Sequence, residues 1–185
     1  LAVLALALAV SGAWAAGQIE SDKAGKWTES ATWKGGKVPA SADTVLIKHK
    51  VTADVPTTSV DIVILDKGGS LVVENGLSID RGIEVKADAT VTVKGPNLQL
   101  LRSNDVTVSK GAVLTLKALK AGNAAGAIEA SKDVPLILRG GGRLNLEAPI
   151  KQAQVLQILG DSTLDINVEE ALVSADAISL DAGSL

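Results

Sequence analysis

The chain has 185 residues, a length that fits one domain or a segment of a longer, elongated protein. Apolar residues make up 46% of it, but aromatic residues only 2%, and all of these are tryptophans. Because compact globules usually need large aromatic side chains in the core, an aliphatic composition favours stacked repeats. The net charge of −3, without a basic cluster, argues against a nucleic-acid partner. The absence of cysteine excludes disulfides and thiolate metal sites.

Residues 1–15 are predicted to be a secretory signal peptide that lacks its basic n-region. The apolar run Leu1–Val10 is followed by small residues, and Ala13-x-Ala15 predicts cleavage before Ala16. A second cleavage option follows Ala13. The run is shorter than the roughly 20 residues of a transmembrane helix, although a buried helix or a membrane anchor is the alternative interpretation. The missing n-region and the apolar Leu185 indicate truncation at both ends, and the signal predicts a secreted or cell-surface location.

From residue 43 onward, pairs of short apolar/polar strands are joined by polar turns. The pairs read LDKGGSLVV (65–73), VKADATVTV (85–93), VSKGAVLTL (108–116), LRGGGRLNL (138–146) and ILGDSTLDI (158–166). Most recur about every 20 residues, which is typical of a solenoid. We therefore predict an all-β, parallel β-helix over residues 43–185. Its inward column would consist of Leu71, Val91, Leu114, Leu144 and Leu164.

The turns, and the long interval of 30 residues between Leu114 and Leu144, refine this prediction. Glycines at 68–69, 111 and 140–142 allow tight turns, which Asp66, Asp88 and Asp161 can cap. The Ala/Gly-rich segment 117–130 is predicted to be an insertion in one coil. The alternative is an antiparallel β-sandwich with Gly-rich hairpins.

Residues 16–42 are predicted to form an N-terminal cap. An open solenoid end exposes apolar side chains and strand edges, and Trp27 and Trp33 are suited to covering it. The functional alternative is that Trp27 and Trp33 form a platform on which a carbohydrate stacks.

This segment resembles the start of G8-type domains and the N-terminal segments of secreted bacterial β-helix proteins, including autotransporter passengers. The matching residues are Trp27, Thr32, Trp33, Gly36, Pro39, Asp43, Val45 and Ile47, followed by a Gly69–Leu71 turn. The resemblance, and the likeness to pectin-lyase-like solenoids, implies right-handed coils and an extracellular location. It also implies carbohydrate interaction or adhesion.

No catalytic constellation is evident in the sequence. His49, between Lys48 and Lys50, is the only histidine and is expected on a strand. Arg139 and Arg143 flank a glycine turn and are expected to be solvated. The nearest carboxylate groupings recur at no common outward register; they are Asp61 with Asp66, Asp161 with Asp165, and Glu169 with Glu170. We expect no catalytic residues, metal or cofactor in this segment.

The sequence thus favours an extracellular structural or adhesive β-solenoid, the N-terminal part of a larger protein. The alternative is a carbohydrate-binding or polysaccharide-degrading β-helix protein. The expected partners are an extracellular polysaccharide or a host or neighbouring cell surface, and self-association through the open solenoid end is a third hypothesis.

Overall fold

The computed structural model describes residues 17–55, 59–95, 97–121, 124–151, 155–166 and 177–180. These residues form an all-β solenoid of about five turns, with parallel coils of about 21 residues. The predicted signal peptide lies outside the described residues. No helix in the described part is long and apolar enough to cross a membrane.

Every coil contributes short strands, and the described part of the chain contains almost no helix. Two short 3₁₀ turns occupy Ser30–Thr32 and Lys34–Gly36. The strands are β1 (Gln18–Glu20), β2 (Gly25–Lys26), β3 (Thr44–Ile47), β4 (Lys50–Ala53), β5 (Ser59–Leu65), β6 (Ser70–Val73), β7 (Leu77–Val85), β8 (Ala89–Val93), β9 (Leu98–Leu100), β10 (Asn104–Val108), β11 (Val113–Ala118), β12 (Lys120–Ala121), β13 (Ala124–Ala125), β14 (Ile128–Glu129), β15 (Leu136–Arg139), β16 (Arg143–Glu147), β17 (Ile150–Lys151), β18 (Val155–Ile158), β19 (Thr163–Ile166) and β20 (Ala177–Leu180).

The strands stack in three parallel rows that run along the solenoid. The first row has the order β1-β3-β5-β7-β10-β15-β18-β20, and the second has the order β2-β4-β6-β8-β11-β16-β19. A third, shorter row joins the first residues of β5 and β7 to β9, β14 and β17. Since these pairs are parallel, the antiparallel sandwich alternative is wrong and the predicted parallel solenoid is confirmed.

Alternation along each strand puts apolar side chains inside. In β8 and β11, buried residues at every second position alternate with half-buried ones, as a period of two requires. The core is built from Val, Leu, Ile and Ala, with Trp27 and Trp33 packed into it. Such a column is stable only when coils stack, because one coil alone cannot cover its inward side chains.

The predicted inward column is wrong in register at one coil. Leu71 pairs with Val91, but Val91 pairs with Leu116, and Leu114 instead pairs with Ala89. Val85 pairs with Val108 and Ala89 pairs with Leu114, so the path between these positions is two residues longer in the later coil and the strand enters the sheet later. Because the slip is an even number, the inward face is kept and Leu114 remains fully buried.

The insertion predicted over residues 117–130 is confirmed only in its middle part, because residues 117–118 still pair within β11 and residues 128–129 already pair within β14. Strands β12 and β13 pair antiparallel beside the coil, and β14 then rejoins the stack by pairing with β9. An extra segment that pairs with itself leaves the register of the following coils intact.

The corner between the third and first rows depends on two particular residues. At Gly82 φ is +131°, and a Cβ there would collide with the carbonyl of Asp105, so no other residue fits without strain. The buried Asn104 side chain receives the N–H of Ser131 at 3.0 Å and donates to the carbonyls of Ser131 and Val134 at 3.0 and 2.9 Å. It therefore fastens one coil to the next with polar bonds inside the stack.

The predicted cap segment, residues 16–42, contributes strands of its own. Strand β1 pairs in parallel with β3, and β2 pairs in parallel with β4. Parallel pairing thus already includes Gln18 and does not begin at residue 43. This segment supplies β1 and β2, which are the end strands of the two long rows on the N-terminal side.

Turn chemistry agrees in part with the sequence prediction. The carboxylate of Asp66 accepts the N–H of Lys67 at 2.8 Å inside its own turn. Asp88 instead accepts the N–H of Val113 from the next coil at 2.9 Å, so it links coils. No side-chain hydrogen bond of Asp161 is seen in the described residues, where Ser162 Oγ accepts the N–H of Gly141.

Removal of an inward side chain should cost far more than removal of its outward neighbour. Leu114 is fully buried, whereas the adjacent Thr115 points outward and is half-buried. We expect Leu114→Ala to lower the free energy of unfolding by about 2–5 kcal/mol through lost burial and a cavity. The control, Thr115→Ala, should change it by about 0.5 kcal/mol or less. Urea denaturation measures both, and equal losses would contradict the assigned faces.

Candidate functional site

Both candidate carbohydrate-binding tryptophans lie in the core. Trp27 is 1% exposed and Trp33 is 2% exposed. Their rings meet edge to face with centroids 5.1 Å apart, and Trp33 Nε1 donates to the carbonyl of Trp27 at 2.8 Å. A sugar stacks on an aromatic face that solvent reaches, so the position of these rings gives no support to a binding platform, and glycan binding by them stays a prediction.

Asp43, another residue of the cap motif, anchors this end of the solenoid. It is 3% exposed, and its carboxylate accepts the N–H groups of Gly17 at 3.2 Å and Ala40 at 3.0 Å. Lys37 Nζ also donates to it, at 3.2 Å. Burial acts to raise the pKa of Asp43, but the two backbone hydrogen bonds and Lys37 outweigh burial and hold the pKa below its usual value.

Paired arginines and carboxylates from adjacent coils lie at the corner between the third and first rows and on the outer face of the first row. Arg81 pairs with Asp61, and Arg102 pairs with Asp80 at 3.6 Å. One coil further, Arg139 pairs with Asp105 at 2.5 Å. No such row was expected from the sequence, because the two members of each pair come from different coils at unequal separations along the chain.

These pairs neutralise each other across coils. The hydrogen bond from Arg81 holds the pKa of Asp61 below its ordinary value, and Asp61 in turn raises the pKa of Arg81. Arg143, expected to be solvated, likewise pairs with Asp165 at 2.5 Å. A guanidinium occupied by a carboxylate offers less charge to an outside anion, so this row is mainly a set of links between neighbouring coils.

A different set of cations lies free at the opposite corner, where the first row turns into the second. Lys67, Lys86 and Lys110 come from three successive coils and line one shallow, open groove of about 520 Å³. All three are exposed. Among the described residues none of them has an ion-pair partner, in contrast to nine other basic side chains. We call this surface the lysine corner.

Small residues keep the lysine corner open between its three cations. Gly68 and Gly111 have φ of +85° and +82° and shape equivalent tight turns. Ala87 and Ala112 complete the lining together with one carboxylate, Asp88. Asp88 is engaged by the Val113 N–H, so three lysines face a single carboxylate that is already hydrogen-bonded.

The lysine corner was missed in the sequence although its signal is present. The turn strings LDKGG (65–69), VKADA (85–89) and VSKGA (108–112) do not share one lysine position, since Lys86 directly precedes its alanine whereas Lys67 directly follows its aspartate. The corner is visible only when corner residues, and not strand residues, are compared between coils.

The remaining candidate residues do not assemble into a reactive centre. His49 lies in the turn between β3 and β4 and not on a strand. Its Nδ1 is 3.1 Å from the hydroxyl oxygen of Ser21. Glu169 and Glu170 lie outside the described residues. In the described part of the chain no three His, Asp or Glu side chains are grouped to hold a metal ion.

Comparison with protein-family models, with curated proteins and with solved structures found no match. The G8-like and autotransporter-like resemblance therefore rests on the motif residues alone and stays a prediction, whereas the β-solenoid itself is seen in the structure.

The carboxylate of Asp43 should make the stability of the solenoid depend on pH. Because its folded-state pKa is depressed, its contribution is complete above the unfolded carboxyl pKa of about 3.9 and is lost as the pH falls through the lower folded value. We expect Asp43→Asn to lower the free energy of unfolding at pH 7 by about 1–3 kcal/mol. That difference should shrink below about pH 4.

Denaturation curves across the pH range measure this effect. Asp22→Asn is the control, because the Asp22 side chain is exposed, and its effect should stay within about 0.5 kcal/mol. A difference between Asp43→Asn and the unmodified chain that is the same at pH 7 and at pH 3 would contradict the ionic role of Asp43.

Proposed function

We propose that this chain is a structural and adhesive β-solenoid that works outside the cytoplasm and contacts its partner through the lysine corner. The observation that carries the proposal is the placement of Lys67, Lys86 and Lys110 in one open groove without ion-pair partners among the described residues. A solvated cation that makes no internal pair contributes little to stability, so its placement with two others is better explained by an external contact.

The scaffold suits such a role mechanically. Parallel pairing continues from β1 to β20 along the first row, so the coils form one hydrogen-bonded stack around a shared core. A stack of this kind holds corner side chains at fixed intervals without a cofactor. This supports a spacer or adhesive element whose surface, and not an enclosed cavity, makes the functional contact.

A second candidate function is action on a polysaccharide. The row of Asp61–Arg81, Asp80–Arg102 and Asp105–Arg139 pairs favours it, because carboxylates and arginines on adjacent coils are the groups such chemistry uses. The mutual pairing of these groups weighs against it. Release of shortened, reducing-end products from a polysaccharide panel would support this candidate over a purely adhesive one.

Export is the first test of the proposal. We expect the chain, expressed in a bacterial host with an initiator Met and two lysines supplied before Leu1 as the basic n-region, to be recovered outside the cytoplasm with its N-terminus at Ala16. The control is the double variant Leu4→Arg/Leu6→Arg, which interrupts the apolar run and should stay in the cytoplasm. Cell fractionation and mass spectrometry of the N-terminus measure the outcome. Cytoplasmic retention of the unmodified chain with residues 1–15 intact would contradict the extracytoplasmic proposal.

A further inference from the structure

We propose that the lysine corner binds an extended acidic polysaccharide, carrying sulfate or carboxylate groups, that runs parallel to the solenoid axis. This ligand assignment rests on the proposed function, since such polymers occur outside the cytoplasm. It adds the chemical class of the partner and the direction in which the partner lies.

The direction follows from the origin of the three lysines. Lys67, Lys86 and Lys110 belong to successive coils, so the line through them follows the stacking direction, along which strands advance by about 4.8 Å. That advance is close to the length of one sugar residue in an extended polysaccharide. A chain that carries an anionic group on each sugar, or on every second sugar, can therefore meet successive lysines.

The charge balance of the groove supports an anionic ligand. Three lysines face one carboxylate, Asp88, which is hydrogen-bonded to the N–H of Val113 at 2.9 Å. The chain as a whole carries a net charge of −3, so the groove differs in sign of charge from the chain as a whole. Lysine ammonium groups on flexible stems can adapt to anions of varied spacing, which suits a polymer of irregular substitution.

The shape of the groove favours a polymer over a small anion. The groove is open and shallow, and the residues that line it between the lysines include glycines and alanines, which have small side chains. An isolated sulfate or phosphate ion needs several converging donors, which an open trough of side chains from separate coils does not supply. A linear polyanion gains from many weak contacts in a row and requires no enclosed pocket.

Two other polyanionic partners fit less well. Single-stranded nucleic acid binds with exposed aromatic side chains on which bases stack, whereas Trp27 and Trp33 are buried. Anionic membranes are typically bound by four to eight clustered basic residues, and the lysine corner presents three, one from each of three coils. An acidic polysaccharide is therefore the partner that the corner matches best.

The test compares two triple variants of equal charge. Lys67→Gln/Lys86→Gln/Lys110→Gln removes the lysine corner, and Arg81→Gln/Lys94→Gln/Lys117→Gln removes three cations that are paired with carboxylates. Both lose three positive charges, so a difference between them reports position and not net charge. Far-UV circular dichroism and urea denaturation confirm that each variant is folded.

Binding is measured to heparin, to polygalacturonate, to neutral dextran, to a DNA duplex and to vesicles of phosphatidylserine and phosphatidylcholine. At about 50 mM salt we expect the full chain to bind heparin or polygalacturonate, with affinity that falls as salt rises. The lysine-corner variant should lose about tenfold or more, and the paired-cation variant less than about threefold. Dextran should not bind.

Three results would overturn the inference. They are equal losses in the two variants, equal binding to dextran, and tighter binding to DNA or to vesicles than to either acidic polysaccharide. Failure here is distinguishable from failure of the proposed function, because a chain that is exported and cleaved before Ala16 but ignores acidic polysaccharides loses only this ligand. Retention of the chain in the cytoplasm would instead contradict the proposed function itself.

Discussion

The whole structure depends on the requirement that each coil be covered by its neighbours. A coil of about 21 residues makes strands of only a few residues, whose inward side chains and backbone groups have no partner within that coil. Parallel stacking satisfies both needs at once, since it hydrogen-bonds the strands and closes an aliphatic core. The two indoles of Trp27 and Trp33 lie in the same core at its first coils, and they bring to it the largest buried side chains.

Stacking also explains why chemistry appears at the corners. Strand positions are occupied by alternating inward and outward side chains, whereas corner residues are free to differ from coil to coil. At one corner, arginines and carboxylates pair between coils and neutralise each other, as Arg81 does with Asp61. At the other corner, Lys67, Lys86 and Lys110 stay unpaired among the described residues and share one groove. The first of these corners thus links neighbouring coils, whereas the lysine corner is the surface that we propose contacts a partner.

Much of the fold was predictable because it rests on local patterns. The period of two, the glycine turns and the spacing of about 20 residues identified the strand pairs and the presence of an insertion in one coil. Register was less predictable, as Leu114 shows, because corner length changes it without changing the apolar pattern. The third row escaped prediction since its strands are two or three residues long. The lysine corner escaped because proximity between turns is a tertiary property.

Engineered cysteines test the stacking most directly, since the chain has none of its own. Thr90 pairs with Thr115 across neighbouring coils, which puts their Cα atoms about 5 Å apart, whereas Thr90 and Val113 are offset by two residues, at about 8 Å. Disulfides form readily only below about 7 Å. We predict that mild oxidation cross-links Thr90→Cys/Thr115→Cys within one chain and leaves Thr90→Cys/Val113→Cys largely reduced. Cross-linking of neither pair, or preferential cross-linking of the second, would contradict the stacked register.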